Sequence, residues 1–216
     1  MKVIQVANCV FFESDGAGYS VLGLCQGLHE DGVDVELHAL GVRSLFKKLP
    51  EYPYYGYRSR KRFGLPWDVG SSPEMLSGLC SAALRGDIMH TNGLWSFSNV
   101  YPVKAVSGSR CKLVVSPHGT LARWALRKGY WKKKVFGWLF QNEVLRRADM
   151  FHATSEKEYG EIRAAGYRQP VAIVPIGMIL PEIESHVKED AWRMRRVVFF
   201  GRLHKVKGVD RLVRAW

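Results

Sequence analysis

Apolar positions along the chain alternate between two periods, one of two residues and one near 3.6. Lys2 to Ala7 (KVIQVA) is a short run rich in β-branched residues and predicts a first strand. A glycine-bearing loop, Glu13 to Ser20 (ESDGAGYS), leads into an amphipathic stretch, Val21 to Glu30, closed by Asp31-Gly32, a helix stop. Val33 to Ala39 (VDVELHA) alternates as a half-buried strand does. Gly41 to Ser72, rich in Tyr, Pro, Gly and Arg, predicts a long irregular region, a length that compact domains keep for function. Met75 to Leu84 reads as a helix and Asp87 to His90 (DIMH) as a short strand. Lys112 to Ser116 (KLVVS) is an apolar strand ending at Pro117-His118-Gly119. A basic, aromatic helical region follows from Leu121 to Arg147, with Gly129 as an interruption. Met150 to Ala153 and Val171 to Val174 predict two more strands, separated by a helix from Glu156 to Ala165.

Strands alternating with helices imply an α/β fold built on a Rossmann-like, doubly wound parallel sheet. In such sheets ligands lie beyond the carboxyl ends of the strands, which selects the loops after Ala7, His90, Ser116 and Val174. Residues 1–180 form this first domain. The text then turns polar and charged (PEIESHVKEDAWRM, residues 181–194), as a linker does. Residues 195–216 open a second Rossmann-like domain: a fresh buried strand, Arg196 to Phe200, the turn GRLHKVKG, and the start of a helix, VDRLVRAW. One strand and part of a helix cannot bury their own apolar faces, so a chain truncated within its second domain is expected.

The chain has 216 residues, 47% hydrophobic and 24% charged, which excludes a disordered or collagen-like polymer. Its formal charge of +12 calls for an anionic partner: phosphate, nucleic acid or an acidic membrane surface. No apolar run approaches the roughly 18 to 20 residues that span a bilayer. The opening MKVIQVANCVFF reads as a strand and not as a signal peptide, which places the chain in the cytoplasm. Cys9, Cys25, Cys80 and Cys111 are scattered without a CxxC pair, so they read as free, buried thiols, and no metal or other cofactor is expected.

Gly201-Arg202-Leu203 and Lys207-Gly208 stand between a predicted strand and a helix start. Unpaired N–H groups there, the planar fork of Arg202 and the mobile charge of Lys207 suit an anion, although a basic turn on a solvated helix start has the same composition. Ile173 to Met178 (IVPIGM) is another apolar strand with a sharp exit. Together, FFGRLHKVKGVDRLVRAW, the upstream ATSEKEYGEIRAAG and IVPIGM, the glycine loop near Gly16 and SPHGTL resemble the GT-B glycosyltransferases, in particular the large retaining glycosyltransferase family 4.

The resemblance implies two Rossmann-like domains facing a cleft, an acceptor side followed by a nucleotide-sugar side. It implies that Arg202 and Lys207 hold the donor diphosphate and stabilise the departing nucleotide without a bound metal. Gly16, Ala17 and Gly18 match the loop that approaches the diphosphate or the acceptor. His118 matches a cleft histidine with a catalytic or acceptor-binding role, and Asn92 an acceptor contact; His90 is read as packing. Two departures stand out. Ile176 occupies a position where relatives carry a polar residue. The paired glutamates of the family's donor site (E-x7-E) are not found in this chain, so little or no turnover is expected from it alone.

The segment from Arg123 to Arg147 carries eight basic residues against one acid, Glu143, and therefore +7 of the total charge. Trp131, Val135, Trp138, Leu139, Asn142 and Leu145 follow helical spacing through it. Three readings stay open: a core-facing stripe with a solvated basic face, contact of Arg127, Lys128, Trp131, Lys132, Lys133 and Lys134 with an anionic membrane, and stacking on nucleic acid. The resemblance implies transfer from a nucleotide sugar to a saccharide or lipid-linked acceptor in cell-surface polysaccharide or glycolipid synthesis, and the membrane reading fits a peripheral enzyme whose acceptor is lipid-linked. A sequence-specific nucleic-acid module is disfavoured because no known motif appears. A nicotinamide-dependent enzyme is disfavoured because DGAGYS has Val21 where G-x-G-x-x-G needs its last glycine.

Overall fold

The computed structural model describes all residues except 11–15, 42–49, 61–69, 178–196, 202 and 204–206. They fall into two units, Met1–Met178 and Ile179–Trp216. In the first, seven strands form one sheet: β1 (Lys2–Cys9), β2 (Asp34–Leu40), β3 (Tyr54–Tyr57), β4 (Ile88–Asn92), β5 (Lys112–Ser116), β6 (Met150–Ala153) and β7 (Val171–Ile173). Their order is β3-β2-β1-β4-β5-β6-β7, and every pair is parallel. Chain order reverses between β1 and β4, the switch point at which such sheets open a crevice.

Helices cover both faces: α1 (Gly16–Glu30), α2 (Pro73–Ala83), α3 (Tyr101–Ala105), α4 (Arg123–Arg127), α5 (Tyr130–Phe136), α6 (Asn142–Arg147) and α7 (Glu156–Ala164). The period-2 pattern of the strands separates two cores. Ile4, Val6, Met89, Leu113, Val115 and Phe151 join Met75, Leu79, Phe97, Phe136, Val144 and Ile162 on one side. Ala7, Val35, Leu37 and Ala39 meet Val21 and Cys25 of α1 on the other. Each large apolar side chain so buried contributes about 1.5–3 kcal/mol. Helix α2 shows how locally the sequence decides. Ser72 accepts a hydrogen bond from the Met75 N–H at 3.3 Å, Pro73 takes the first turn, and Met75, Leu79, Ala82 and Ala83 bury one stripe.

Charge is also buried. Glu36, 1% exposed on β2, accepts from Lys2 Nζ at 3.0 Å and from His38 Nε2 at 3.2 Å. Tyr57 Oη donates to His38 Nδ1 at 2.8 Å, and the His38 ring stacks on Tyr55 at 4.7 Å. Burial would raise the Glu36 carboxyl, but the hydrogen bonds from His38 and Lys2 prevail and hold it at about 2.

Three expectations need correction. The irregular region 41–72 contains β3, a short edge strand of tyrosines. Of Arg196 to Phe200, expected as a buried strand, the described residues 197–200 are not in a strand; Val198 is 84% and Phe200 fully exposed. A strand needs a ladder partner, and no described residue of the second unit supplies one. Its helix does form, as α8 (Val209–Ala215) after Gly208 in the left-handed region. The cysteines divide: Cys25 and Cys111 are buried, whereas Cys80 is exposed. The expected linker, 181–194, lies outside the described residues.

Candidate functional site

At the switch point the first element is the N-terminus of α1. Gly16, Ala17 and Gly18 were expected in a loop, but they form the opening turn of this 15-residue helix. A helix can start there because Val21 and Cys25, one turn apart, anchor it to the sheet. The first-turn N–H groups lack intrahelical acceptors and carry partial positive charge. A Cβ at Gly16 would meet nothing within 4 Å.

The carboxyl ends of β4 and β5 bring Asn92 and His118 together. His118 Nε2 lies 3.1 Å from Asn92 Oδ1. The Asn92 amide nitrogen faces Gln5 Oε1 at 2.9 Å and the main-chain oxygens of Val6 and His90 at 3.3 Å each. Asn92 is therefore turned inward, 6% exposed, and does not present its amide to a ligand as the sequence suggested. His118 is half-buried at the crevice edge, in a turn whose two central residues have positive φ, His118 (+51°) and Gly119 (+71°). Thr120 N donates to Pro117 O at 3.2 Å, closing that turn.

A carboxylate that the motifs did not single out holds the turn from below. Glu158, 3% exposed on α7, accepts from Gly119 N at 2.6 Å, Thr154 N at 2.7 Å and Thr154 Oγ1 at 2.8 Å. The signal was present: Ser155 and Glu158 have capping-box spacing, and Ser155 Oγ does accept from Glu158 N. What sequence could not show is that the carboxylate reaches across to the loop after β5.

Beneath His118 runs a directional chain. His152 Nε2 donates to Val174 O at 2.9 Å, so in the neutral ring Nδ1 accepts from Ser116 Oγ at 2.7 Å. Ser116 Oγ in turn accepts from His90 Nε2 at 2.6 Å. His90 is buried, and burial, reinforced by the nearby His152 and His118, pushes it down to about 3. It is a neutral packing residue, as read from the sequence.

The basic aromatic segment is not one helix. Gly129 (φ +70°) separates α4 from α5, and a π-turn at Gly137–Gln141 leads into α6. Of the stripe, Trp131 (70%), Val135, Trp138 (79%) and Leu139 are exposed and only its end, Leu145, is buried, beside Phe136 and Val144, so its first four positions do not face the core. Arg127, Lys128, Lys132 and Lys134 are exposed beside it, with Lys134 Nζ 5.1 Å from the Trp131 ring centre. Lys133 differs. Its amine donates to Ala125 O and lies 5.7 Å over Trp95, and burial lowers its affinity for protons. Trp95 links this segment to the site: its N–H donates to Gln141 Oε1 at 2.9 Å and its indole Nε1 to Thr120 O at 3.3 Å.

In the second unit Lys207 is exposed in a short turn before Gly208. Arg202 lies outside the described residues. Among the described residues, no three His, Cys, Asp or Glu side chains cluster as metal ligands would. No helix among them is long and apolar enough to cross a membrane.

A family model for the glycosyl transferase 4-like domain matches residues 15–177, which contain Asn92, His118 and Glu158. The chain belongs to that family. Solved structures similar to this glycosyl transferase 4-like chain include Alr3699/HepE of Anabaena in complex with UDP-glucose, at 16% identity and a TM-score of 0.59, covering 82% of this chain and 44% of that one. A UGT transferase from Siraitia grosvenorii in complex with UDP aligns at 10% identity and a TM-score of 0.52, covering 84% of this chain and 52% of that one. Sucrose-phosphate synthase from Thermosynechococcus elongatus aligns at 12% identity and a TM-score of 0.50, covering 82% and 90%. These likenesses show the shared fold. The chain spans less than half of HepE. No curated protein sequence matches it.

Proposed function

We propose that the chain is the acceptor-side part of a glycosyltransferase that moves a sugar, with retention of configuration, from a nucleotide-sugar donor to a lipid-linked saccharide. The observation that carries this is the meeting of Asn92 and His118, 3.1 Å apart, where the carboxyl ends of β4 and β5 lie in a sheet of the glycosyl transferase 4-like family. His118 is the group that touches the transferred sugar or the acceptor hydroxyl. Arg202 and Lys207 hold the donor diphosphate and stabilise the departing nucleotide. No metal is required in this scheme, because fixed cations neutralise the departing nucleotide. A uridine nucleotide is the first donor to try, since HepE and the Siraitia enzyme are similar proteins in complex with UDP or UDP-glucose.

The exposed Trp131, Trp138 and Leu139 among Arg127, Lys128, Lys132 and Lys134 favour contact with an anionic bilayer over the alternatives. Indole rings sit at headgroup depth while lysines attract acidic lipid. The enzyme is then peripheral on the cytoplasmic face of the membrane, where a lipid-linked acceptor is within reach.

The test is sugar transfer from UDP-glucose and other nucleotide sugars to lipid-linked acceptors in anionic vesicles. The 216-residue chain is assayed alone and extended by a donor-binding domain in one polypeptide. Turnover only by the extended protein, lost on His118→Ala, is the expected result. Robust turnover by the 216 residues alone overturns the division of labour, and no turnover with any donor by the extended protein overturns the function.

A further inference from the structure

We infer that Asn92 and Glu158 are positioning residues for His118: the first fixes which ring nitrogen carries the proton, and the second fixes the backbone turn that presents the ring. This rests on the reading of His118 as the working group of the crevice.

An asparagine amide has two ends of similar shape, and here the surroundings decide between them. Two main-chain carbonyl oxygens, of Val6 and His90, lie within 3.3 Å of the nitrogen end, with Gln5 Oε1 at 2.9 Å. Reversing the amide would set an oxygen against two oxygens that cannot donate. The carbonyl end must therefore face His118, and an acceptor at 3.1 Å requires that Nε2 bear the proton. In the neutral ring Nδ1 is then the basic nitrogen, the one that can accept from a hydroxyl. Asn92 cannot turn away, because Asn99 Nδ2 holds its main-chain oxygen at 2.8 Å and Gln5, its partner, is 1% exposed.

The backbone is held separately. A histidine with φ of +51° is uncommon, and such a conformation persists only where the surroundings over-determine it. Glu158 supplies that restraint. One oxygen accepts from Gly119 N and the other from Thr154 N and Oγ1, so the turn after β5 is tied to the start of α7. A charged, buried acceptor holds such a turn more firmly than a neutral one. Neither residue is a catalytic residue in this scheme.

The experiment is nitrogen–proton NMR of the 216-residue chain labelled in its histidines, without substrate, with His118 assigned from His118→Ala. In the wild type the Hε2 proton of His118 should be visible and protected from exchange. In Asn92→Ala, with the other resonances still dispersed, it should exchange at least tenfold faster or vanish. A wild-type His118 protonated at Nδ1, or an Hε2 signal unchanged in Asn92→Ala, overturns the first role. The wild-type reading decides even where Asn92→Ala does not fold. In uniformly nitrogen-labelled Glu158→Gln, which keeps the volume, protection of the Gly119 amide should fall at least tenfold against the wild type labelled in the same way, and unchanged protection overturns the second role. Because no turnover is involved, these outcomes are independent of the transfer assay.

Discussion

Two buried polar networks occupy the same sheet and differ in kind. Under α2, Glu36, His38, Lys2 and Tyr57 form an ionic cluster within hydrogen-bond reach of one another, with Glu36 and His38 almost fully buried. Across β1, β4 and β5, Gln5, Asn92 and His118 form a chain of amide and imidazole groups that emerges at the crevice edge. The difference separates staying folded from presenting a group. A buried charge is costly to strand, so the first network secures the β2–β3 side of the sheet. The second network has an amide at its centre and ends on a half-buried ring, which suits a group that must meet a ligand in a defined protonation state.

Breaking the ionic network should give the largest loss. Glu36→Ala removes the buried acceptor of His38 and leaves Lys2 with Asp34 alone, and is expected to destabilise by about 3 kcal/mol, read from urea unfolding at neutral pH. Glu36 adds a pH signature. Its folded value of about 2 lies below the ordinary 4.5, so its stabilisation is complete above pH 4.5 and is lost as the pH falls toward 2. In Glu36→Gln the part of the acid unfolding profile within that window should flatten. A smaller effect is expected from Gly78→Ala, whose Cβ would sit 2.2 Å from Tyr57 Oη. Displacing the tyrosine from His38 should cost about 1–2 kcal/mol by the same measurement. Asn92→Ala should cost about 1–2 kcal/mol as well, from carbonyl groups and a ring left with fewer partners, and an effect as large as that of Glu36→Ala would erase the distinction between the networks. Least of all, Trp131→Ala with Lys134→Ala should leave stability within about 0.5 kcal/mol while lowering sedimentation with anionic vesicles by about tenfold. Unchanged vesicle binding would remove the membrane reading.

The sheet was legible because burial writes itself into strands of five or six residues. KLVVS and MFHA have the predicted bounds, and the helices at Pro73 and Glu156 begin within two residues of expectation. The edge strand β3 was not legible: YYGY follows Pro53 and contains a glycine, and its tyrosines lack the aliphatic pattern of a central strand. DGAG read as a loop because glycine is a poor helix former, yet tertiary anchoring by Val21 and Cys25 outweighs that cost. The strand expected at Arg196 to Phe200 shows the converse: its residues 197–200 are an apolar run without a ladder partner among the described residues. At the site, motif resemblance picked out His118 and Asn92, but not their relation. Asn92 was read as a ligand contact because residue type and loop position say nothing about where an amide points. Glu158 was hidden because its partner, Gly119, is 39 residues away in sequence.

In the proposed function His118 is the group that acts, while the ionic cluster only supports the fold. The most direct measurement compares His118→Ala with His38→Ala in the chain extended by a donor-binding domain, reading transfer rate and unfolding free energy on both. His118→Ala should lose at least about 100-fold in rate, with stability within about 1 kcal/mol of wild type. His38→Ala should lose about 2–3 kcal/mol, with the rate per folded molecule nearly unchanged. A His118→Ala protein that transfers sugar at close to the wild-type rate would contradict the account.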